Sequence, residues 1–203
     1  MSRIAKIDFA DWDPELRAAF KARRGYEAAE ATPLELGMMR MYAHRPAIAQ
    51  GAMAFGAGIA ADRTLPARLT ELVRLRIAFH NQCRSCMATR YQAAVEDGVT
   101  EDLVCSLERP MEAPDLTAAE KTALAYADAF ANDHLSIDDA MFERLRAHFS
   151  EAQLVELGVW VAYSVGFGRL SAVWDMIEEL PDGLKDKTKG RVAPWGNELV
   201  VRR

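Results

Sequence analysis

The sequence predicts an all-α fold, and three observations support that prediction. Apolar residues recur at intervals of three and four through most of the 203-residue chain, which is the spacing of one face of a helix. Helix-start signals precede several of these segments, among them two capping boxes, Thr117 with Glu120 and Ser150 with Gln153. No segment shows the sustained alternation of apolar and polar residues that is typical of a strand. We therefore expect a bundle of helices.

The expected helices can be placed in order along the chain. Asp13-Pro14-Glu15 is a good helix start, and Gly25 ends that first segment. Further helices are expected at 33–44, 46–61, 66–80, from the cysteine pair to Gly98, 100–107, 117–130, 136–149 and 150–179. On the 66–80 segment, one apolar stripe consists of Leu69, Leu72, Val73 and Ile77.

One domain accounts for most of the chain. We expect it to comprise residues 1–180, including residues 1–32 as an N-terminal extension. Residues 181–203 begin with a run rich in Asp, Lys and Gly that cannot form a core of its own. This C-terminal segment is either a frayed tail or an arm that buries Trp195 on a neighbouring subunit, and the sequence leaves both interpretations open.

Composition excludes several classes of function. The net charge of −5 argues against nucleic acid or an anionic membrane surface as the main partner. No apolar run approaches the roughly 18–20 residues that span a bilayer, and the first residues lack the apolar core of a signal peptide. Three cysteines in a chain of this length do not indicate a disulfide scaffold. We therefore expect a cytoplasmic protein with neither nucleic acid nor membrane as a partner.

The most informative motif is a C-x-x-C pair, Cys83 and Cys86, between two amphipathic segments. Glu71 lies twelve residues before the first cysteine. Arg90 lies four residues after the second. A close pair of thiols in a reducing compartment is usually catalytic or metal-binding, and the thiolate is the reactive form.

A zinc site is the first alternative, because His80, Cys83 and Cys86 are all zinc-ligand types. On a continuous helix the ends of this span lie about 9 Å apart along the axis. A tetrahedral zinc ion with bonds of about 2.0–2.3 Å cannot readily gather both ends. A break near Asn81 would relax this constraint, but no second ligand pair follows. We therefore expect no metal and no cofactor.

A turn at residues 80–82 gives the motif a different geometry. If Asn81 caps a second helix, two antiparallel helices flank the turn and the cysteines begin the second one. Glu71 and Arg90 then both lie on the order of 12–15 Å from the corner and can face each other. The start of a helix favours a thiolate.

The segment from Pro66 to Ala78, followed by Cys83-x-x-Cys86, resembles the core of the carboxymuconolactone decarboxylase and alkylhydroperoxidase D superfamily. The resemblance extends over about residues 33–179. The peroxidase branch of that superfamily has a glutamate, a C-x-x-C twelve residues later, and a histidine four residues past the second cysteine. By position, the resemblance implies that Cys86 attacks the peroxide, Cys83 resolves the sulfenic acid as a disulfide, and Glu71 takes part in a proton relay. It also implies a helical homo-oligomer.

Arg90 occupies the position of the superfamily's relay histidine. Arginine cannot take up a proton at working pH, so a shuttle through this residue is excluded. It can still stabilise a thiolate or orient Glu71 through a paired hydrogen bond, or form a purely structural ion pair with Glu71. His80 is a candidate supporting base, although we expect backbone groups at a helix end to satisfy it. Cys105 is expected to be a small core residue.

These observations predict a thiol-dependent peroxidase or disulfide oxidoreductase. Its expected substrate is a small neutral organic hydroperoxide, and its expected reductant is a dithiol of unspecified identity. One alternative is lactone chemistry of the carboxymuconolactone decarboxylase type, which needs acid–base groups rather than thiols. Another is a redox-responsive or structural oligomer that catalyses no reaction.

Overall fold

Helices dominate the protein in this computed structural model, which describes residues 2–24, 31, 36–188, 190–196 and 200–202. The α-helices are α1 (Pro14–Arg24), α2 (Met39–Tyr42), α3 (Pro46–Ala61), α4 (Ala67–Asn81), α5 (Arg84–Ala88), α6 (Gln92–Glu96), α7 (Glu101–Cys105), α8 (Ala118–Asn132), α9 (Asp139–Arg146), α10 (Glu151–Trp174) and α11 (Asp182–Lys185). Short 3₁₀ turns lie at Phe9–Asp11, Ser106–Glu108 and His134–Ser136. The predicted all-α class is confirmed. Part of the predicted 33–44 helix lies outside the described residues.

The predicted caps form as the sequence indicates. Both capping boxes are complete, at the starts of α8 and α10. At the start of α1, the Asp13 carboxylate accepts hydrogen bonds from the backbone N–H groups of Glu15 and Leu16, at 2.9 and 3.1 Å. The predicted 136–149 helix is shorter, because a 3₁₀ turn precedes it and the Asp138 side chain caps α9 instead.

Helix α4 lies at the centre of the main core and packs mainly against α8 and α10. Its side chains Leu72, Val73, Leu75 and Ile77 are fully buried. One close approach between α4 and α10 requires glycine, because a Cβ at Gly168 would lie 2.5 Å from the Asn81 side-chain nitrogen. That amide donates to the backbone oxygen of Ser164 at 3.0 Å and joins the two helices.

The segment after the cysteines departs from the predicted single helix. Helix α5 ends at Ala88, Thr89 is extended at φ −97° and ψ 139°, and α6 begins only at Gln92. The extended residues form β1 (Thr89–Tyr91), which pairs in parallel with β2 (Val200–Arg202) near the C-terminus. This short pairing was not predicted from the sequence, and it leaves the all-α class unchanged.

The C-terminal segment packs against its own chain. Leu184 joins Ala88 and Leu180 in a small buried cluster. The ring of Trp195 lies 5.0 Å from the ring of Phe79 at the end of α4. The end of the chain is thus placed beside the cysteine motif, where it contributes hydrogen bonds described below.

Helices α3 and α10 expose apolar side chains on one side of the molecule, including Phe55 and Val155. The homo-oligomer that the resemblance implies stays a prediction. Among the described residues, no helix combines the length and apolar character needed to cross a membrane.

Candidate active site

The cysteine motif begins at a left-handed residue that ends α4. Gln82 has φ 51° and ψ 35°, and its N–H donates back into the last turn of α4. The chain then reverses, and Cys83 rather than the predicted Asn81 is the N-cap of α5. Asn81 is still part of α4 and turns its side chain to α10. The predicted break is present, and its cap is two residues later than expected.

Cys83 and Cys86 form a disulfide, with their Cα atoms 5.2 Å apart. The two sulfurs differ in their surroundings, because Cys83 is fully buried and Cys86 is half-buried. The Cys83 sulfur accepts a hydrogen bond from the backbone N–H of Cys86 at 3.3 Å. It also lies 3.6 Å from the Ser85 hydroxyl. Only the Cys86 side of the pair is therefore open to a molecule from solvent.

Glu71 pairs with Arg74, and the pairing of Glu71 with Arg90 that the sequence left open as one alternative does not form. Both oxygens of the Glu71 carboxylate accept hydrogen bonds from the Arg74 guanidinium, each at 2.7 Å. The two residues are one helical turn apart on α4, and both are buried. Glu71 and Arg90 do not meet, because β1 interrupts the second helix and turns the Arg90 side chain to Glu101.

Arg74 connects Glu71 to the cysteine segment. Its guanidinium donates to the backbone oxygens of Cys86 and Thr89, both at 2.7 Å. The Tyr91 N–H completes the cluster by donating to Glu71 at 3.2 Å. Burial would lower the pKa of Arg74, but the charge of Glu71 and the hydrogen bonds to it outweigh burial and raise that pKa. The guanidinium therefore stays charged beside Glu71, and it holds the C-terminal end of α5.

Arg90 holds the same end of α5 from another side. Its five N–H groups make five hydrogen bonds, which is the full capacity of a guanidinium. Two go to the Glu101 carboxylate at 2.9 and 3.0 Å. The other three go to backbone oxygens of Met87 at 2.7 Å, Thr89 at 3.1 Å and Pro194 at 2.8 Å. No donor of Arg90 is left for a thiolate or for Glu71.

The C-terminal segment binds the N-terminal side of the motif. The Gln82 side-chain amide both donates to and accepts from the backbone of Val192, at 3.1 and 2.9 Å. Arg84 donates to the backbone oxygens of Leu184 and Asp186, both at 2.8 Å. Residues on either side of Cys83 are thus fixed by the end of the chain.

His80 contacts a carboxylate, whereas backbone groups were expected to satisfy it. Its Nε2 lies 2.6 Å from the Asp128 carboxylate on α8, and its Nδ1 lies 3.4 Å from the Asn132 amide. Arg76 donates to both oxygens of Asp128 at 2.7 and 2.9 Å. Burial would raise the pKa of Asp128, but the hydrogen bonds from His80 and Arg76 hold it below its ordinary value. These contacts fix His80 to α8.

Cys105 is exposed, so its predicted place in the core is wrong. It lies at the last position of the five-residue helix α7, whose buried side chains are Leu103 and Val104. Within the described parts of the chain, no group of three or more His, Cys, Asp or Glu residues is arranged to hold a metal ion.

The site contains several residues that sequence reasoning did not select, namely Arg74, Glu101, Asp128, Ser85 and Ser171. For Arg74 a signal was available, since residues three apart on a helix are neighbours and Glu71 with Arg74 is such a pair. Ser85 lies within the C-x-x-C motif itself, and its hydroxyl is 3.1 Å from that of Ser171 on α10. The contacts of Glu101, Asp128 and Ser171 join separate helices, and spacing alone does not indicate them.

Residues 46–129 match the Carboxymuconolactone decarboxylase family. This segment begins with α3, contains the whole cysteine motif and extends into α8.

The chain is also similar to curated proteins across about half its length. Two uncharacterized proteins of Mycobacterium tuberculosis, from strains H37Rv and CDC 1551, are each 38% identical over 101 residues, 49% of this chain and 35% of theirs. The uncharacterized protein YnjA of Escherichia coli K12 is 29% identical over 111 residues, 55% of this chain and 59% of its own. The chain thus spans about a third of the length of the two mycobacterial proteins and 59% of that of YnjA.

Solved structures share the fold over most of the chain. One is an alkylhydroperoxidase AhpD core, an uncharacterized peroxidase-related protein from Ralstonia eutropha JMP134, with a TM-score of 0.67 and 18% identity over 95% of this chain and 97% of that one. Another is the debrominase Bmp8, with a TM-score of 0.65 and 17% identity over 91% and 95% of the two chains. These identities show a common fold and nothing about a common reaction. Residues 46–129 are therefore similar to the carboxymuconolactone decarboxylase family, and the chain as a whole has the fold of the AhpD-like structures.

Proposed function

We propose that the protein is a thiol-dependent peroxidase or disulfide oxidoreductase that reduces organic hydroperoxides through Cys83 and Cys86. The observation that carries the proposal is the disulfide between a buried and a half-buried cysteine at the start of α5. A nucleophile that meets a substrate needs access, whereas a resolving thiol needs only to reach the nucleophile. The half-buried Cys86 suits the first role and the buried Cys83 suits the second.

The proposed reaction proceeds in two steps. The Cys86 thiolate attacks one oxygen of the hydroperoxide, the O–O bond breaks, and the other oxygen leaves as an alkoxide that takes a proton from solvent. Cys86 is now a sulfenic acid. The Cys83 thiolate attacks its sulfur, the disulfide forms, and hydroxide leaves as water after protonation. The peroxide gains two electrons, and the two thiols lose them.

An external dithiol is the proposed reductant. Its thiolate attacks the accessible Cys86 sulfur, and its second thiol then releases Cys86 and leaves as the oxidised disulfide. Because Cys83 is fully buried, attack at Cys86 is the open route. A small neutral hydroperoxide remains the proposed substrate class.

The charged residues have positioning roles in this proposal. Glu71 holds Arg74, and Arg74 in turn fixes the Cys86 backbone oxygen. Arg90 secures the next turn of the same segment and does not act as a proton carrier. His80 contacts Asp128 on α8 and thereby fixes the end of α4 immediately before the turn.

Stopped-flow measurement of hydroperoxide consumption by the reduced protein tests the proposal. We expect Cys86→Ser to abolish the reaction, because the attacking sulfur is removed. Cys105→Ser is the matched control, since it removes an exposed thiol outside the motif and should leave the rate unchanged. Consumption by Cys86→Ser at the parent rate would refute the assignment.

A further inference from the structure

A chain of polar side chains extends from the buried cysteine to α10. The Ser85 hydroxyl lies 3.6 Å from the Cys83 sulfur and 3.1 Å from the Ser171 hydroxyl. The Ser171 hydroxyl donates to the sulfur of Met176 at 3.8 Å. Ser171 is buried, with 5% of its surface exposed. A hydroxyl pair in such a place therefore connects the resolving cysteine to the helix behind it.

The two arginines near the motif, Arg74 and Arg90, do not donate hydrogen bonds to the Cys83 sulfur. All five N–H groups of Arg90 are bonded to oxygen atoms, and Arg74 donates to Glu71 and to backbone oxygens. In the described part of the structure, the polar groups that contact this sulfur are the backbone N–H of Cys86 and the Ser85 hydroxyl. Ser85 is thus the side chain placed to donate to Cys83.

We propose that Ser85 is a catalytic residue that stabilises the Cys83 thiolate when the disulfide is reduced, and that Ser171 is its positioning residue. The inference rests on the proposed function in that it concerns the same cysteine pair. It addresses reduction by the dithiol, a step that can be measured without any peroxide.

In that step the thiolate of the dithiol attacks the Cys86 sulfur. A new S–S bond forms to Cys86, the bond between Cys83 and Cys86 breaks, and its electron pair leaves on Cys83. Exchange is faster when the leaving thiol has a lower pKa. A hydroxyl that donates to the departing sulfur lowers that pKa, because it stabilises the charged form.

The hydroxyl pair can make this donation by reversing its hydrogen bonds. With the disulfide closed, Ser171 donates to Met176 and can accept from Ser85. When Cys83 becomes a thiolate, Ser85 turns to donate to it and Ser171 turns to donate to Ser85. The bond given up is that to a thioether sulfur, which is a weak acceptor, so the reversal costs little.

We expect Ser85→Ala to disfavour reduction of the disulfide about tenfold, because the thiolate loses a charge-assisted hydrogen bond while the N–H of Cys86 still donates to it. Ser171→Ala should have a smaller effect in the same direction. Ser85→Thr, which keeps the hydroxyl, should restore the parent value.

The measurement is the equilibrium between the oxidised and reduced protein in a series of dithiothreitol buffers, across the pH range of thiol ionisation. Ser164→Ala is the matched control, because Ser164 lies two turns earlier on α10 and its buried hydroxyl has no hydrogen-bond partner among the described residues. Equal equilibrium constants for disulfide reduction in Ser85→Ala, Ser164→Ala and the parent would overturn the inference.

A second readout separates thiolate stabilisation from a loss of packing. In the background Cys86→Ser, Cys105→Ser, the ultraviolet absorbance of the thiolate reports Cys83 alone. Ser85→Ala should raise the pKa of Cys83, and Ser164→Ala should leave it unchanged. A Cys83 pKa that is the same with and without the Ser85 hydroxyl would also overturn the inference. Neither experiment contains peroxide. A protein that does not consume hydroperoxide can therefore still show the effect of Ser85→Ala on reduction of the disulfide and on the pKa of Cys83, so the two proposals can fail separately.

Discussion

Arg74 and Arg90 hold the same short helix but in different surroundings. Both are buried, with 7% and 1% of their surfaces exposed, and both donate to backbone oxygens at the end of α5. Their carboxylate partners differ, since the side chain of Glu71 is 2% exposed and that of Glu101 is 42% exposed. One ion pair is enclosed in the core, and the other reaches the surface.

This difference shows how a helix of five residues is held in place. Helix α5 is too short to be stable by itself, since isolated helices need about 12–15 residues to be even marginally stable. The enclosed pair fixes it to α4, and the pair at the surface fixes it to α7 and to the C-terminal segment. The position of Cys86 therefore depends on contacts from three separate parts of the chain.

The largest effect is expected from Glu71→Gln. This change leaves the Arg74 guanidinium without a charged partner in the core, which costs about 3–5 kcal/mol of the free energy of unfolding. The matched control is Glu101→Gln, which removes a carboxylate that is 42% exposed. It should cost clearly less, because Arg90 keeps its hydrogen bonds to three backbone oxygens and water at Glu101 partly screens its charge. Urea denaturation of the two variants measures both values.

If Glu71→Gln and Glu101→Gln lowered the free energy of unfolding equally, the enclosed and the exposed ion pair would not differ as described. A double variant, Glu71→Leu with Arg74→Met, sharpens the comparison. Removal of both charges should restore part of the loss seen in Glu71→Gln, because no unpaired charge is left in the core. The recovery is incomplete, because the backbone groups of Cys86, Thr89 and Tyr91 lose their hydrogen-bond partners.

A smaller effect is expected from Arg90→Gln. The shorter amide cannot reach all five acceptors, and the loss of charged hydrogen bonds should cost about 2 kcal/mol. Hydrogen exchange at Val192 and in β2 should also become faster, because the contact with Pro194 is lost. The thiol pKa should stay at the parent value, since no N–H of Arg90 contacts sulfur; a clear rise in that pKa would contradict this account.

The local features of the fold could be predicted from the sequence. Capping boxes and apolar periodicity depend on residues a few positions apart, so α8 and the start of α10 were found from Thr117 and Ser150. The turn before Cys83 was expected, but its left-handed residue, Gln82, was not. Glutamine has no special preference for that conformation, and its side-chain bonds to Val192 provide a reason for its presence there.

The candidate site was only partly predictable. The cysteines and Glu71 follow from spacing, but the contacts of Arg90 depend on where α5 ends, and three extended residues after Ala88 redirect its side chain. The partner of His80 lies 48 residues later in the chain, at Asp128. Such contacts arise from the packing of distant helices, which the order of residues does not reveal.

A count of free thiols after exposure to hydroperoxide tests the central claim most directly. The fully reduced protein contains three thiols, and one equivalent of an organic hydroperoxide is added before the remaining thiols are alkylated and located by mass spectrometry. We expect the rapid loss of two, with Cys83 and Cys86 joined as a disulfide and Cys105 still free. Three remaining thiols, or oxidation confined to Cys105, would contradict the proposal that the C-x-x-C pair is the redox centre.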